Sequence, residues 1–208
     1  LVPDVARVLT AAEVPTRTLA SDQNLRDKAI TRDLLQLVGV GLNHSTLSPE
    51  LAHRLLTSPL AGLSVIDVRR LRQILRHSEI MTDQPRRGDE LLCAELLTPG
   101  GFSDIETDAA ERASRLAATI AKLTEMVRTG ASIEELLWQA WSSAPVAKSW
   151  PTQSRAGGIL GQEANRNLDA VLELFTMAKR SVEREPDRPP GDFIASVLRA
   201  ELPEDTLT

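Results

Sequence analysis

Four arginines, Arg69, Arg70, Arg72 and Arg76, recur among Val65, Val68, Leu71 and Leu75 in one short stretch of the chain. Directly before them stands Thr57-Ser58-Pro59-Leu60-Ala61-Gly62-Leu63-Ser64. Proline fixes its own φ and glycine takes φ > 0, so Pro59 and Gly62 predict a sharp corner. Ser64 is placed to cap the helix that follows, whose first-turn N–H groups lack partners of their own. The chemistry such an arrangement offers is anion binding, because a helix start with cations beside it grips a phosphate. The plain alternative is a helical hairpin whose arginines make a solvated, salt-bridged face over an apolar stripe.

Other chemistry is poorly provided for. No glycine-rich loop ending in Lys-Ser/Thr is present, so a nucleotide phosphate chain has no Walker-type cradle here. Gly157-Gly158-Ile159-Leu160-Gly161 lacks the lysine and reads as a flexible connection. His44, His53 and His77 show no metal-ligand spacing with one another or with carboxylates. Cys93 is the only cysteine, which rules out an intramolecular disulfide and a cysteine-based metal site; it reads as a small core residue. Ser58 or Ser154 as nucleophile would need a base and an orienting acid that the sequence does not place. The Glu134-Glu135 pair is taken up by helix capping, and Asp187 and Asp192 flank prolines as turn or cap residues. No catalytic residue is assigned, and neither a cofactor nor a metal is expected within this chain.

Composition narrows the partners. A net charge of −5 argues against a surface that wraps nucleic acid all round, yet permits a local basic patch. Between Val65 and Gly88 six arginines face only Asp67, Glu79 and Asp83. Aromatics make up 3% of the chain and tyrosine is absent, so stacking of single-stranded bases is poorly supported. No apolar run approaches the ~20 residues of a membrane-spanning helix, and no signal segment opens the chain. A cytoplasmic protein is expected. The chain opens at Leu1 without methionine and closes on Pro203-Glu204-Asp205-Thr206-Leu207-Thr208, so a piece of a longer protein is expected.

The elements that must position the arginines are helices. Residues 1–12 read as a short helix, 14–19 (Val-Pro-Thr-Arg-Thr-Leu) as one short extended segment, and 29–42 as a helix closed by Asn43-His44-Ser45. Helices follow over 49–57, from Ser64 to about Ser78, and over 89–97. Ile105, Ala109, Ala113, Leu116, Ile120, Leu123 and Val127 give the clearest stripe, a helix over 105–129 with Gly130 just past its end. Asp104, Glu106 and Asp108 are expected at its positive end. Ser132-Ile133-Glu134-Glu135 has capping-box spacing, and Trp138 and Trp141 share one face of the helix it starts. Residues 145–158 carry no clear period, and Trp150 before Pro151 is expected at a domain edge. Met81, Met126 and Met177 are expected to fill gaps in the core. Helices over 162–185 and 192–201 complete an all-α, irregular multi-helix domain with a single extended segment near the start.

Order along the chain adds a resemblance. Ala12-Glu13-Val14-Pro15-Thr16 after Val8-Leu9, then Ala29-Ile30-Thr31-Arg32-Asp33-Leu34, then Pro59-Leu60-Ala61-Gly62-Leu63-Ser64 follow one another in sequence. This succession resembles UvrD/Rep-type superfamily I DNA helicases, where the second motor domain gives way to its inserted helical 2B domain. The counterparts there are a Gly-Ile-Pro-Tyr-like strand, a Glu-Ile-Lys-Asp-Ala-Leu-like helix and a Pro-x-Arg-Gly-Ile-Gly turn. Leu55-Leu56-Thr57-Ser58-Pro59-Leu60-Ala61-Gly62, Leu71-Arg72 and Leu75-Arg76 are closest to the actinobacterial helicase–nuclease proteins of the AdnA/AdnB kind. Ile133-Glu134-Glu135-Leu136-Leu137-Trp138, Asn167-Leu168-Asp169-Ala170-Val171 and the closing Glu201-Leu202-Pro203 fit the same picture.

The resemblance implies an edge of the motor domain at 1–25, the insert at 26–202 and the return to the motor at 203–208. It implies a parent that hydrolyses ATP, with Mg, to unwind DNA in repair or break processing. The insert would be non-catalytic, touching duplex DNA through Gly62, Leu63 and Ser64 and regulating unwinding by its rotation. Its partners would be duplex DNA, the motor domains of the same chain and a second helicase–nuclease subunit. Ala61 and Ser64 stand where the family turn has arginine and its second glycine, which leaves Arg69 and Arg70 either as substitute cations or as plain surface. The other class open to the sequence is a free-standing helical protein-interaction module working through its two long striped helices.

Overall fold

Side-chain caps decide where the helices begin. Ser48 Oγ accepts the Leu51 N–H at 3.2 Å and Pro49 fills the first helical position, where its missing N–H and fixed φ cost nothing. Ser132 and Glu135 close the capping box that their spacing predicts, at 3.3 Å from the Glu135 N–H and 2.8 Å to its carboxylate. A computed structural model describes residues 29–79 and 86–199, and among these the protein is all-helical.

The elements are α1 (Ala29–Gly41), α2 (Pro49–Thr57), α3 (Val65–Ser78), α4 (Gly88–Leu97) and α5 (Asp108–Arg128). They continue as α6 (Ile133–Ser142), α7 (Val146–Ala156), α8 (Gly158–Arg184) and α9 (Pro190–Arg199). The extended segment expected at 14–19, the helix at 1–12 and the motor-domain stretches at 1–25 and 203–208 lie outside the described residues, as does Met81.

Several expected boundaries are corrected. α5 starts at Asp108, because Thr107 Oγ1 accepts the Ala110 N–H at 3.1 Å; Asp108 stands in its first turn as expected, while Asp104 and Glu106 precede the helix. Residues 146–156 form a helix in spite of Pro151, and α8 begins at Gly158, four residues before the stripe suggests. Gly157 to Gly161 is therefore a tight helical corner and not a flexible connection. A Cβ on Gly161 would stand 2.8 Å from the Gln153 carbonyl oxygen, so glycine is what lets α8 turn back against α7.

α1 is the centre of the molecule. Ten of its thirteen residues are buried, as a helix apolar nearly all round requires. It packs against α2, α5, α6, α8 and α9. To one side α2, α3 and α4 stack with α5; to the other, α6, α7 and α8 pack together. Trp141 and Trp150 lie with ring centroids 5.9 Å apart, and Trp138 meets Phe175 edge-on at 6.3 Å. Trp150 is 8% exposed, so it belongs to the core and not to an edge. Met126 packs against the core as expected, whereas Met177 is exposed and fills no gap.

One charge is buried with this core. Asp33 on α1 accepts a hydrogen bond from Arg54 Nε of α2 at 2.8 Å, and Arg54 Nη2 stands 2.8 Å from the same Oδ1 in a salt bridge. Burial pushes the Asp33 carboxyl above its ordinary value, while Arg54 and more weakly Arg32 pull the other way. Among the described residues no helix is long and apolar enough to cross a membrane.

Candidate nucleic-acid interface

The corner between α2 and α3 is built from backbone hydrogen bonds. Ser58 carbonyl accepts the N–H groups of Ala61 at 3.2 Å and Gly62 at 2.7 Å, and Leu63 N–H reaches back to the Leu56 carbonyl at 3.0 Å. Leu60, Ala61 and Leu63 turn inward and are buried, which anchors the turn in the core. Gly62 has φ of 69°, the left-handed region, and no heavy atom within 4 Å of a would-be Cβ. Its conformation, not its neighbours, calls for glycine. Its carbonyl oxygen accepts a hydrogen bond from Arg112 Nη1 of α5 at 2.8 Å.

Ser64 caps α3 as its type predicts, and Asp67 completes a capping box. Ser64 Oγ accepts the Asp67 N–H at 3.1 Å, while Asp67 Oδ2 accepts the Ser64 N–H at 2.9 Å. The Ser64 backbone N–H, then its hydroxyl, hold the Asp67 carboxyl below its ordinary value, with Arg112 and Arg70 adding to the effect. The start of α3 is thus closed by a carboxylate of the chain itself. Of the residues expected to meet DNA at the turn, Gly62 and Ser64 are exposed and Leu63 is 4% exposed with its side chain in the core.

The arginines divide into two sets. Arg72 Nη1 is 2.6 Å from Asp89 Oδ1, Arg86 Nε donates to Glu79 Oε1 at 2.7 Å, and Arg112 Nη2 stands 3.6 Å from Asp67. Arg86 also donates its backbone N–H to Glu79 at 2.9 Å, and these contacts lower the Glu79 carboxyl. Arg69, Arg70, Arg76 and Arg87 are exposed and make no salt bridge among the described residues. Val68, Leu71 and Leu75 point α3 inward, so Arg69 and Arg70 ride on its solvent side. Val65 is 63% exposed and does not join the apolar stripe as its type suggested; Ile66 and Ile74 are exposed with it.

Between the second half of α3 and the start of α4 lies an open depression of about 730 Å³, lined by Gln73, Arg76, His77, Arg86, Arg87, Gly88 and Asp89. The sequence shows these residues only as a charge excess. Arg112 was missed altogether, since it lies fifty residues from Gly62 and no local pattern points to it. The capping role of Asp67 was missed too, although the Ser64-x-x-Asp67 spacing points to it.

The candidate reactive groups are occupied structurally. Ser58 Oγ donates to the Leu55 carbonyl at 2.8 Å, and the Ser154 hydroxyl donates to the Asn165 side-chain oxygen. Burial, reinforced by Asp89, Glu50 and Glu90, pushes the Cys93 thiol up, away from a reactive thiolate. Among the described residues no group of three or more His, Cys, Asp or Glu could hold a metal ion. No protein-family model matches the chain, and no curated protein matches it.

Proposed function

We propose that this chain is a non-catalytic helical accessory domain, of the 2B kind, from an ATP-dependent DNA helicase acting in DNA repair or break processing. Its contribution is contact with duplex DNA and regulation of unwinding, with ATP and Mg handled by motor domains of the same chain. A second helicase–nuclease subunit is the further partner this reading entails. The order of helix, corner and arginine helix supports it, as a resemblance.

The observation that carries it is the exposed set Arg69, Arg70, Arg76 and Arg87, which make no salt bridge among the described residues of a chain of net charge −5. Positive charge left unanswered on one surface is what holds a phosphate backbone. The test is duplex binding by the whole chain across a salt series. Affinity should fall linearly with salt on logarithmic axes, and Arg69→Ala with Arg70→Ala should reduce the slope by about 2. Absence of duplex binding at low salt sinks the reading.

A second reading, a free-standing protein-interaction module, draws on Val65 and Ile66, which are 63% and 62% exposed beside the arginines. Such a face fits a partner helix, and Ile66→Ser would weaken that partner while leaving any duplex binding unchanged. The purified chain is expected to turn over no ATP under either reading.

A further inference from the structure

We propose that the depression between α3 and α4 is the phosphate-holding part of this surface, with Arg76 and Arg87 as its ligands for the backbone of duplex DNA. This rests on the DNA-contact reading and moves the contact away from the Gly62 corner. That corner is closed: Arg112 holds the Gly62 carbonyl, Asp67 caps α3, and Leu63 is buried. A carboxylate at the helix start repels an incoming phosphate.

The depression has the opposite character. Among the described residues three arginines line it against a single carboxylate, Asp89, and Asp89 is already paired with Arg72 at 2.6 Å. Arg86 is held by Glu79, and Glu90 accepts the Arg87 backbone N–H at 3.0 Å. Among the described residues, the guanidinium heads of Arg76 and Arg87 are left without a salt bridge. Gln73 and His77 line the same wall with further polar groups.

Arg76 is also pre-positioned. A Cβ on Gly88 would stand 3.3 Å from both Cγ and Cδ of Arg76, so the start of α4 lies against the arginine stem. A pinned stem loses less side-chain freedom when its head takes a phosphate. The first residues of α4, Gly88 and Asp89, line the depression, but Glu90 holds the Arg87 N–H there, so the anion-holding charge comes from the two guanidinium groups and not from the helix start. At about 730 Å³ the space is far larger than a single phosphate group, which suits a run of backbone. Arg76 on α3 and Arg87 directly before α4 provide forked donors from both walls.

The test uses the whole chain with a short labelled duplex, in parallel with inorganic tripolyphosphate. Arg76→Ala combined with Arg87→Ala should reduce the magnitude of the logarithmic salt slope by about 2, and the two lysine replacements should retain it. Replacing Ser64 with alanine should leave the slope unchanged. If wild-type chain binds duplex and the Arg76/Arg87 pair changes nothing, this inference is overturned and the broader DNA reading stands. If wild-type chain binds no duplex, both fall. If tripolyphosphate raises the melting temperature of wild type but not of the alanine pair, while duplex binding is unaffected, the groove serves a small polyphosphate and the duplex assignment is wrong.

Discussion

Arg112 donates to the carbonyl oxygen of Gly62 across fifty residues of sequence, at 2.8 Å. This bond ties the α2–α3 corner to α5, and the same guanidinium lies 3.6 Å from Asp67. The corner is therefore a fixed strut between three helices.

Loss of that strut is measurable. Arg112→Ala removes a charge-assisted hydrogen bond to Gly62, worth about 1–2 kcal/mol where the donor is partly shielded. The denaturant midpoint should fall with the slope of the transition unchanged. Arg112→Lys should recover little, because one ammonium does not reproduce the fork that reaches both Gly62 and Asp67. An unchanged midpoint for Arg112→Ala would show that the corner holds without α5.

Ser64→Ala opens the start of α3 and should cost about 1 kcal/mol, the usual penalty for losing an N-cap hydroxyl. Gly62→Val should cost more than Gly62→Asn. The space around Gly62 is open, so only the left-handed φ discriminates, and asparagine tolerates that region while a β-branched residue does not. Equal effects of the two replacements, read by thermal melting, would refute this account of the turn.

Acid titration should separate two aspartates. Asp67 has a folded-state pKa below its ordinary value, so its contribution is present above about pH 3.9 and is lost as pH falls further. Asp33 has a raised folded-state pKa, so the fold favours its protonated form. Its ionisation lowers stability as pH rises from about 3.9 through that raised value. Unfolding midpoints of wild type, Asp67→Asn and Asp33→Asn across this range should therefore diverge in opposite senses. Parallel curves for all three proteins would contradict both assignments.

Gly161→Ala places a methyl group 2.8 Å from the Gln153 carbonyl oxygen and should drive α7 off α8. An overpacked contact of this kind costs about 1–3 kcal/mol. Because Trp150 rides on α7 and meets Trp141 of α6, the near-ultraviolet dichroism of the indoles should change with the stability. A destabilised variant with an unaltered indole spectrum would place the damage elsewhere.

How much of this was legible in the sequence depended on whether the cause was local. Ser64, and Ser132 with Glu135, announce their helices because cap and partner lie within four residues. Ile105 misled, since it packs against the core from outside the helix and extends the apolar stripe past the Thr107 cap. Gly157 to Gly161 read as slack chain, because the backbone of Gln153 that makes glycine necessary is a tertiary neighbour. The arginines showed as an excess of charge. Which of them are neutralised by Glu79, Asp89 and Asp67 emerged only with the packing of α3 on α4 and α5. The turn was found from Pro59 and Gly62, but its closure by Asp67 and Arg112 was not.

The burial of α1 has a dynamic consequence. Leu34, Leu37 and Val38 are 0%, 1% and 0% exposed, and their helix touches neighbours from both sides of the molecule. Their amide protons can meet solvent only when those neighbours separate together. Hydrogen exchange at these three sites should match the global unfolding free energy, while exposed positions on α3 exchange through smaller openings. The arginine surface can thus breathe while the spindle beneath it stays shut.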